Sequence, residues 1–352
     1  MDNAPVSTTV GEAASLGAKL LGATGVPGER AHRSAWLLAV TELWGLRSHG
    51  LLRLPYYLER LVEGGSNPAA DLRTVRDGGA TVALDGEAGL GHWQAWEAAG
   101  IAAERARTHG IAAVSVADSG HCGSLGLYAM RLAGAGLVGL VASNGPAAIA
   151  PWGGNRPLVS TSPIAAAFPA GERPVVVDLA LSAVTRGKIA EHAASGKPLE
   201  EGWALDAGGR PTTDPDAALA GMVAPAGGAK GFALALLLEA LTGGMVGPKL
   251  STEVADPLAH AAAGRKQGLS HLVVAIDVET LDATGGALAR LAELRDGVEA
   301  AGGRVPGRSR VHPDDVNPSE ALQIAGPTAS AIAVWAERME VALPAGWTSP
   351  SA

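Results

Sequence analysis

Beyond residue 79 the chain keeps switching between two hydrophobic periodicities, and that alternation limits its fold more than any other feature. Short apolar runs at Ala80–Asp85, Ile111–Ala117, Leu137–Ala142, Val175–Asp178 and His271–Asp277 have the length and residue types of strands. Between them Trp93–His109, Leu125–Ala133, Ala183–Ala194 and Lys230–Leu241 read as helices, and Leu288–Ala301 follows the last strand as another. Gly110 stops the first of these, since glycine readily takes the left-handed position after a helix. Strands alternating with helices predict a central α/β domain over 79–310 with a largely covered sheet. Residues 1–78 read as a helical segment, with helices at Glu29–Leu46 and Tyr56–Val62, the second led in by Pro55. Residues 311–352 read as another, with a helix across Ser319–Ala342 that packs back on the body.

Apolar side chains make up 47% of the 352 residues and charged ones 18%, which supplies a core and excludes disorder. Gly contributes 48 residues while Phe, Trp and Tyr together reach only 4%, so the core must be built from backbones in close approach. A net charge of −8 with no basic run excludes a nucleic-acid surface, which needs cations to displace counterions. The longest candidate span, Gly231–Leu238, is broken by Glu239, far short of the roughly 20 residues that cross a membrane. Cys122 is the only cysteine, and the histidines show no HExxH spacing, so neither a disulfide nor a metal site is expected. The N-terminal stretch has no basic and then apolar leader, and a cytoplasmic protein is the expectation.

Gly134-Ala135-Gly136-Leu137-Val138-Gly139 matches the dinucleotide fingerprint letter for letter. That fingerprint works only when a strand precedes it and a helix follows, so that the helix N-terminus faces a pyrophosphate. Here a helix precedes and a strand follows, which predicts a plain turn. Ser119–Gly126 (SGHCGSLG) has the right context, following a buried strand and opening a helix, so its N–H groups could receive an anion.

Arg47–Arg53 (RSHGLLR) is the most informative polar cluster. His49 exchanges a proton near neutral pH, Ser48 can orient the imidazole, and Arg53 offers a planar fork to a carboxylate. Spacing alone favours a solvated helix end carrying a C-terminal histidine. Asp178 closes an apolar strand, and Ser182, Arg186 and Lys188 follow it, where α/β proteins place ligands or simply cap a helix. Lys230 opens an apolar helix and is costly to hold there without a partner. Cys122 reads as a small apolar filler. Trp152 and Phe168 flank the SNGP and TSP segments and are candidates for shaping a pocket, with core packing the more ordinary role.

In order along the chain, RSHGLLRLPYYLERL, SGHCGSLGLYAMRLA, SNGPAAIAPWGGNRPLVSTSPIAAAFP, VVVDLALSAVTRGKI, GWALDAGGRPTTDP, GGAKGFALALLLEALTGG, HLVVAID and RVPGRSR resemble the malate/L-lactate dehydrogenase family that lies outside the Rossmann superfamily. The resemblance covers most of the chain. It implies a non-Rossmann central sheet domain for NAD(P), with the N- and C-terminal helical segments packed on it, and a homodimer. It implies an oxidoreductase that transfers hydride between NAD(P)H and a small 2-hydroxy/2-oxo acid. A reductase of cyclic imino acids such as piperideine-2-carboxylate is the alternative. A catalytically silent binding protein on the same scaffold is a third.

The same resemblance gives His49 the role of proton donor, with Ser48 positioning it and His121 as the competing acid/base. Arg53, Thr161 and Arg186 match substrate-contacting positions. Gly120, His121, Cys122, Gly123 and Ser124, then Asp178, Leu179 and Ala180, then Lys230, then Pro306, Gly307 and Arg308 match cofactor-binding ones. Lys188 stands where the ketimine reductases tend to carry aspartate, which favours oxo-acid reduction. Cys122 replaces a frequent bulky aromatic and would reshape the pocket. Arg308 replaces a common glutamate and would favour the 2′-phosphate of NADP.

Overall fold

The computed structural model describes residues 4–255 and 262–347. Thr9 ends strand β1 (Val6–Thr9) and caps helix α1 (Val10–Ala23): its hydroxyl accepts the Glu12 N–H at 3.2 Å, while Glu12 takes the Thr9 N–H at 3.1 Å. Helix α2 (Gly28–Leu43) lies on α1 at a close crossing, where a Cβ on Gly17 would stand 3.0 Å from that of Ala35. Helix α3 (Leu54–Val62) follows, with Pro55 in its first turn.

The hairpin β2 (Arg73–Asp77) and β3 (Thr81–Asp85) leads through α4 (Gly91–His109) to β4 (Ile111–Ser119), parallel to β3. Then come α5 (Gly126–Gly134), β5 (Leu137–Ser143), β6 (Ile164–Phe168) and β7 (Val175–Leu179). An inserted lobe carries α6 (Arg186–Ser195), the two-residue strands β8 (Ala204–Leu205) and β9 (Pro211–Thr212), α7 (Pro215–Ala220), β10 (Met222–Val223) and α8 (Ala229–Glu239). The chain returns with β11 (Leu269–Asp277), α9 (Ala287–Ala300), β12 (Ala321–Ile324) and α10 (Gly326–Arg338).

The main sheet has the order β2-β3-β4-β11-β5-β6-β7, and β3–β4 is its one parallel pair. A dinucleotide-binding doubly wound sheet is parallel, so this is a different α/β architecture. The strand directions gather the C-terminal ends of β3, β4, β5 and β7 on one edge, with the N-terminal ends of β6 and β11. The register pairs Leu269 with Ser119, His271 with Ser143, and Ile164 with Leu179 along that edge.

The core explains the scarcity of rings. Ala95, Ala98, Ala99, Ala102 and Ala106 are fully buried in α4, which packs on β4 and β11. A Cβ on Gly139 would come within 2.7 Å of Leu132 in α5, so glycine lets helix and strand close. This is the function of the fingerprint-like stretch, which is the end of α5, a turn with Gly136 at φ 81°, and β5. The buried Trp96 ring is sandwiched by Arg33 at 4.7 Å and Arg131 at 4.4 Å, knitting α2, α4 and α5.

One large core runs without a break from α1–α3 through the sheet to α10. A second core belongs to the inserted lobe and includes Ile149, Val159, Leu181, Ile189, Val223 and Leu238. The second core is drawn from residues between Ala142 and Leu238, while the first draws on both ends of the chain. The region predicted as one helix across Ser319–Ala342 begins instead with β12, which pairs antiparallel with β1. Leu322 and Ile324 alternate inward there, and Pro327 starts the helix proper. The helix predicted from Ala183 starts at Arg186, because the Thr185 hydroxyl caps it by accepting the Lys188 N–H.

Candidate active site

Between α2 and α3 the chain makes two tight turns, Arg47–His49 and Leu51–Arg53, hinged at Gly50. His49 and Arg53 are thus joined by two short turns and not by one helical face. Arg53 Nε donates to the Ser48 carbonyl at 2.8 Å, and the Ser48 hydroxyl lies 2.9 Å from His49 Nδ1. Among the described residues the Arg53 terminal nitrogens meet no carboxylate. The guanidinium is held by its Nε and keeps its fork for a ligand.

The loop after β4 brings the second half. His271 in β11 donates from Nε2 to the Gly120 carbonyl at 3.1 Å, and Gln267 accepts the His121 N–H at 3.1 Å. Gly91 lies so close beneath that a Cβ there would fall 2.1 Å from the Gly120 oxygen. The Ser124 hydroxyl and Gly126 N–H donate to Asp178 Oδ2 at 2.6 and 3.1 Å, and Arg310 donates to the same oxygen at 3.2 Å. Asp178 therefore ties this loop to the end of β7.

The two halves meet ring on ring. His49 and His121 stack at 5.9 Å between centroids, His121 and Tyr57 at 6.1 Å, and His92 meets Tyr57 edge-on at 4.8 Å. The Gly123 N–H donates to His121 Nδ1 at 3.2 Å, so that nitrogen carries no proton. The Tyr57 hydroxyl, 2.7 Å from the same atom, must then donate as well. Neutral His121 is left with its proton on Nε2.

Burial controls the protonation of this wall. It draws His49 below the ordinary 6.5, aided by Arg53 and opposed by Asp178. It draws His121 far lower, with His49 and Arg53 adding to the effect. Burial also holds His92 down to about 3 and His271 to about 4. Cys122, 3.8 Å from His271, is pushed up to about 12 and is the inert filler its size suggests.

The remaining sequence-predicted residues fall into two groups. Leu179 and Ala180 continue from Asp178, with Leu179 exposed. Pro306 accepts the Val176 N–H at 3.2 Å, and a Cβ on Gly307 would stand 2.7 Å from Val176, which places their loop against β7. Arg308 points outward and lies 3.5 Å from Glu299. Thr161 precedes β6, and its carbonyl accepts the Leu181 N–H at 2.8 Å. Arg186 donates to Leu219 and lines a cavity of about 180 Å3 with Pro146, Ala147, Ala148, Ser251, Thr252 and Val254. Among the described residues no hydrogen bond or ion pair joins Thr161, Arg186 or Lys230 to His49, Arg53 or His121. Lys188 pairs with Glu191 in its own helix at 3.0 Å. Trp152 is 64% exposed, which corrects the expectation that it packs in the core.

Tyr57, His92, His271, Gln267 and Arg310 were not singled out in the sequence. Tyr57 stands four residues after Arg53 in a helical run, a spacing that could have revealed it. His271 opens an apolar strand and had no such signal.

The matching family spans residues 9–320 and is described as malate/L-lactate dehydrogenase. The chain belongs to this family. It is 44% identical over 271 residues to a (2R)-3-sulfolactate dehydrogenase (NADP(+)) of Chromohalobacter salexigens, covering 76% of this chain and 79% of that one. The sulfolactate dehydrogenase structure from Methanocaldococcus jannaschii superposes with a TM-score of 0.86 at 26% identity, covering 97% of this chain and 98% of the other. A Δ1-piperideine-2-carboxylate reductase from Pseudomonas syringae pvar. tomato gives 0.85 at 29% identity, covering 94% and 99%.

A nicotinamide dinucleotide needs an anion cradle, and the donor set tests where one exists. The N–H groups of His121, Gly123 and Gly126 are all engaged within the protein, so these three amides of the SGHCGSLG loop are not open to an anion. Helix α8 fits better. Its N-terminus has no side-chain cap, Gly227 and Gly228 both adopt φ 67°, and Lys230 lies exposed in the first turn. Exposure also removes the burial cost anticipated for Lys230.

The buried histidines make a stability prediction. The unfolded chain binds their protons near 6.5, whereas the folded wall resists protonation until about 4 for His271 and about 3 for His92. Their contribution is complete above 6.5 and is lost as the pH falls through that window. Each adds a slope of about 1.4 kcal/mol per pH unit. Urea titrations of His92→Gln at falling pH should show a flatter decline than wild type; parallel declines would contradict this.

Proposed function

We propose that this enzyme interconverts small 2-hydroxy acids and 2-oxo acids with NAD(P) as the redox partner. The observation that carries the reading is the Arg53 fork held beside two facing imidazoles, His49 and His121. Arg53 seats the substrate carboxylate by charge-assisted hydrogen bonds. His49, positioned by Ser48, takes the hydroxyl proton during oxidation and returns it during reduction. Its lowered proton affinity keeps it in the base form near neutral pH, which suits the oxidation direction. His121 presents Nε2–H and can donate to the substrate oxygen, with Tyr57 holding the tautomer. Lys230, the start of α8, and the Leu179–Ala180 and Pro306–Arg308 segments would hold the cofactor. When bound, its nicotinamide supplies or accepts the hydride at the carbon bearing that oxygen. Arg186 is a second cation for a doubly acidic substrate.

The likeness to the piperideine-2-carboxylate reductase supports a second reading, reduction of cyclic imino acids. Lys188, engaged with Glu191, offers no carboxylate to a histidine relay, and this favours the oxo acids. A panel of pyruvate, oxaloacetate, sulfopyruvate and piperideine-2-carboxylate, run with NADH and NADPH, separates the two. Loss of a positioned acid/base costs about 10²–10⁴-fold, so His49→Ala should lower kcat by that order. Arg53→Ala should instead raise the KM for the acid about tenfold or more. Wild-type turnover in His49→Ala would transfer the role to His121.

A homodimer is part of this proposal. Leu234, Leu236 and Leu237 of α8 are 53%, 46% and 53% exposed, and Met245 just beyond is 61% exposed. Such a helix face suits a second copy of the chain. Light scattering should give a dimer for wild type and a monomer for Leu237→Asp; a monomeric wild type would reject it. No helix among the described residues is long and apolar enough to cross a membrane. The cytoplasm, the compartment of nicotinamide-linked metabolism, is the location this reading implies.

A further inference from the structure

We propose that Glu42 is a positioning residue whose buried carboxylate sets the turn carrying Ser48, His49 and Arg53. The proposal rests on the dehydrogenase reading for its kinetic consequence and on geometry alone for its structural one.

Glu42 lies in the last turn of α2, with its side chain 2% exposed. The backbone bonds of the following segment close each tight turn separately. His49 N–H donates to Leu46 at 2.8 Å and Gly50 N–H to Arg47 at 3.2 Å, while Arg53 N–H donates to Gly50 at 3.0 Å. The N–H of Leu51, a residue only 1% exposed, lies at the break between these turns, and Glu42 Oε2 accepts it at 3.0 Å. Without that carboxylate a buried donor would be orphaned.

Gly50 reports how tightly the turn closes on Glu42. Glycine here has φ −94° and ψ −142°. It is demanded by space, because a Cβ would stand 2.5 Å from Glu42 Oε2 and 3.0 Å from its backbone nitrogen. The other contact is weak, since Arg47 is 3.8 Å away and 64% exposed. Burial raises the proton affinity of Glu42, while the Leu51 N–H and Arg47 oppose it. Either protonation state offers Leu51 an oxygen. The anchor is therefore a hydrogen-bond acceptor at one point, and Arg53 and Ser48 follow its placement because they are bonded to each other.

The test uses the full-length enzyme in three variants. Glu42→Gln keeps an acceptor oxygen and should retain kcat and the acid KM within about threefold. Glu42→Leu removes it, and Gly50→Ala pushes the turn off it. Both should weaken kcat/KM for the acid about 10–100-fold, as expected of a small displacement of reacting groups, with the cofactor KM unchanged. Hydrogen exchange at the Leu51 amide reads the anchor without turnover: slow in wild type and Glu42→Gln, fast in Glu42→Leu. An unchanged kcat/KM for the acid in the Leu and Ala variants would overturn the proposal. So would equal losses in kcat/KM for the acid and for the cofactor, the mark of general destabilisation. So would slow Leu51 exchange in Glu42→Leu. Failure of wild type to turn over any acid would instead reject the dehydrogenase reading, leaving the exchange result to judge the anchor.

Discussion

Burial of a wall of imidazoles, complete for His92 and His271 and partial for His49 and His121, is the constraint on which the site depends. His49, His121, His92 and His271 converge from a turn, a loop, a helix and a strand, and burial disfavours the charged form of each. Neutral imidazoles must settle which nitrogen carries the proton, and the protein does so with fixed partners. The Gly123 N–H and Tyr57 hydroxyl decide it for His121, and the Gly120 carbonyl decides it for His271. The unusual closeness of the backbone follows from the same need. Gly91 and Gly123 let α4 and the loop after β4 press onto these rings, where any side chain would intrude.

Under the proposed function, the architecture separates two electrostatic tasks. Proton transfer and carboxylate binding are assigned to the half built on the large core, where Arg53 is the cation facing the histidines. Anion binding by exposed backbone and lysine is assigned to α8 in the inserted lobe, which has a core of its own. The mixed sheet lacks the all-parallel strands of a dinucleotide-binding fold.

The strands rich in Val, Ile and Leu were legible in the sequence because their composition is local information. The order of helix and strand around Gly134–Gly139 was equally legible, and it excluded a tempting motif. Strand β6 was not, since Ile164–Phe168 is mostly alanine and carries little strand signal of its own. Strands β1 and β12 were hidden for another reason. They are four residues each and are stabilised by pairing across nearly the whole chain, which no local pattern encodes. At the site, Ser48, His49, Arg53 and His121 could be named from chemistry and resemblance. Their supports could not, because Glu42, His271 and Gln267 act through contacts set by the tertiary fold. Asp178 was named for the cofactor, and its observed bonds are to Ser124, Gly126 and Arg310.

The tautomer of His121 tests the central claim most directly. Nitrogen-15 spectra of selectively labelled histidine, assigned with His121→Gln, report the two ring nitrogens separately. The expected result is a bare Nδ1 and a protonated Nε2 throughout about pH 5–8, the range in which an ordinary histidine titrates. A proton on Nδ1, or protonation of the ring near its usual 6.5, would contradict the account.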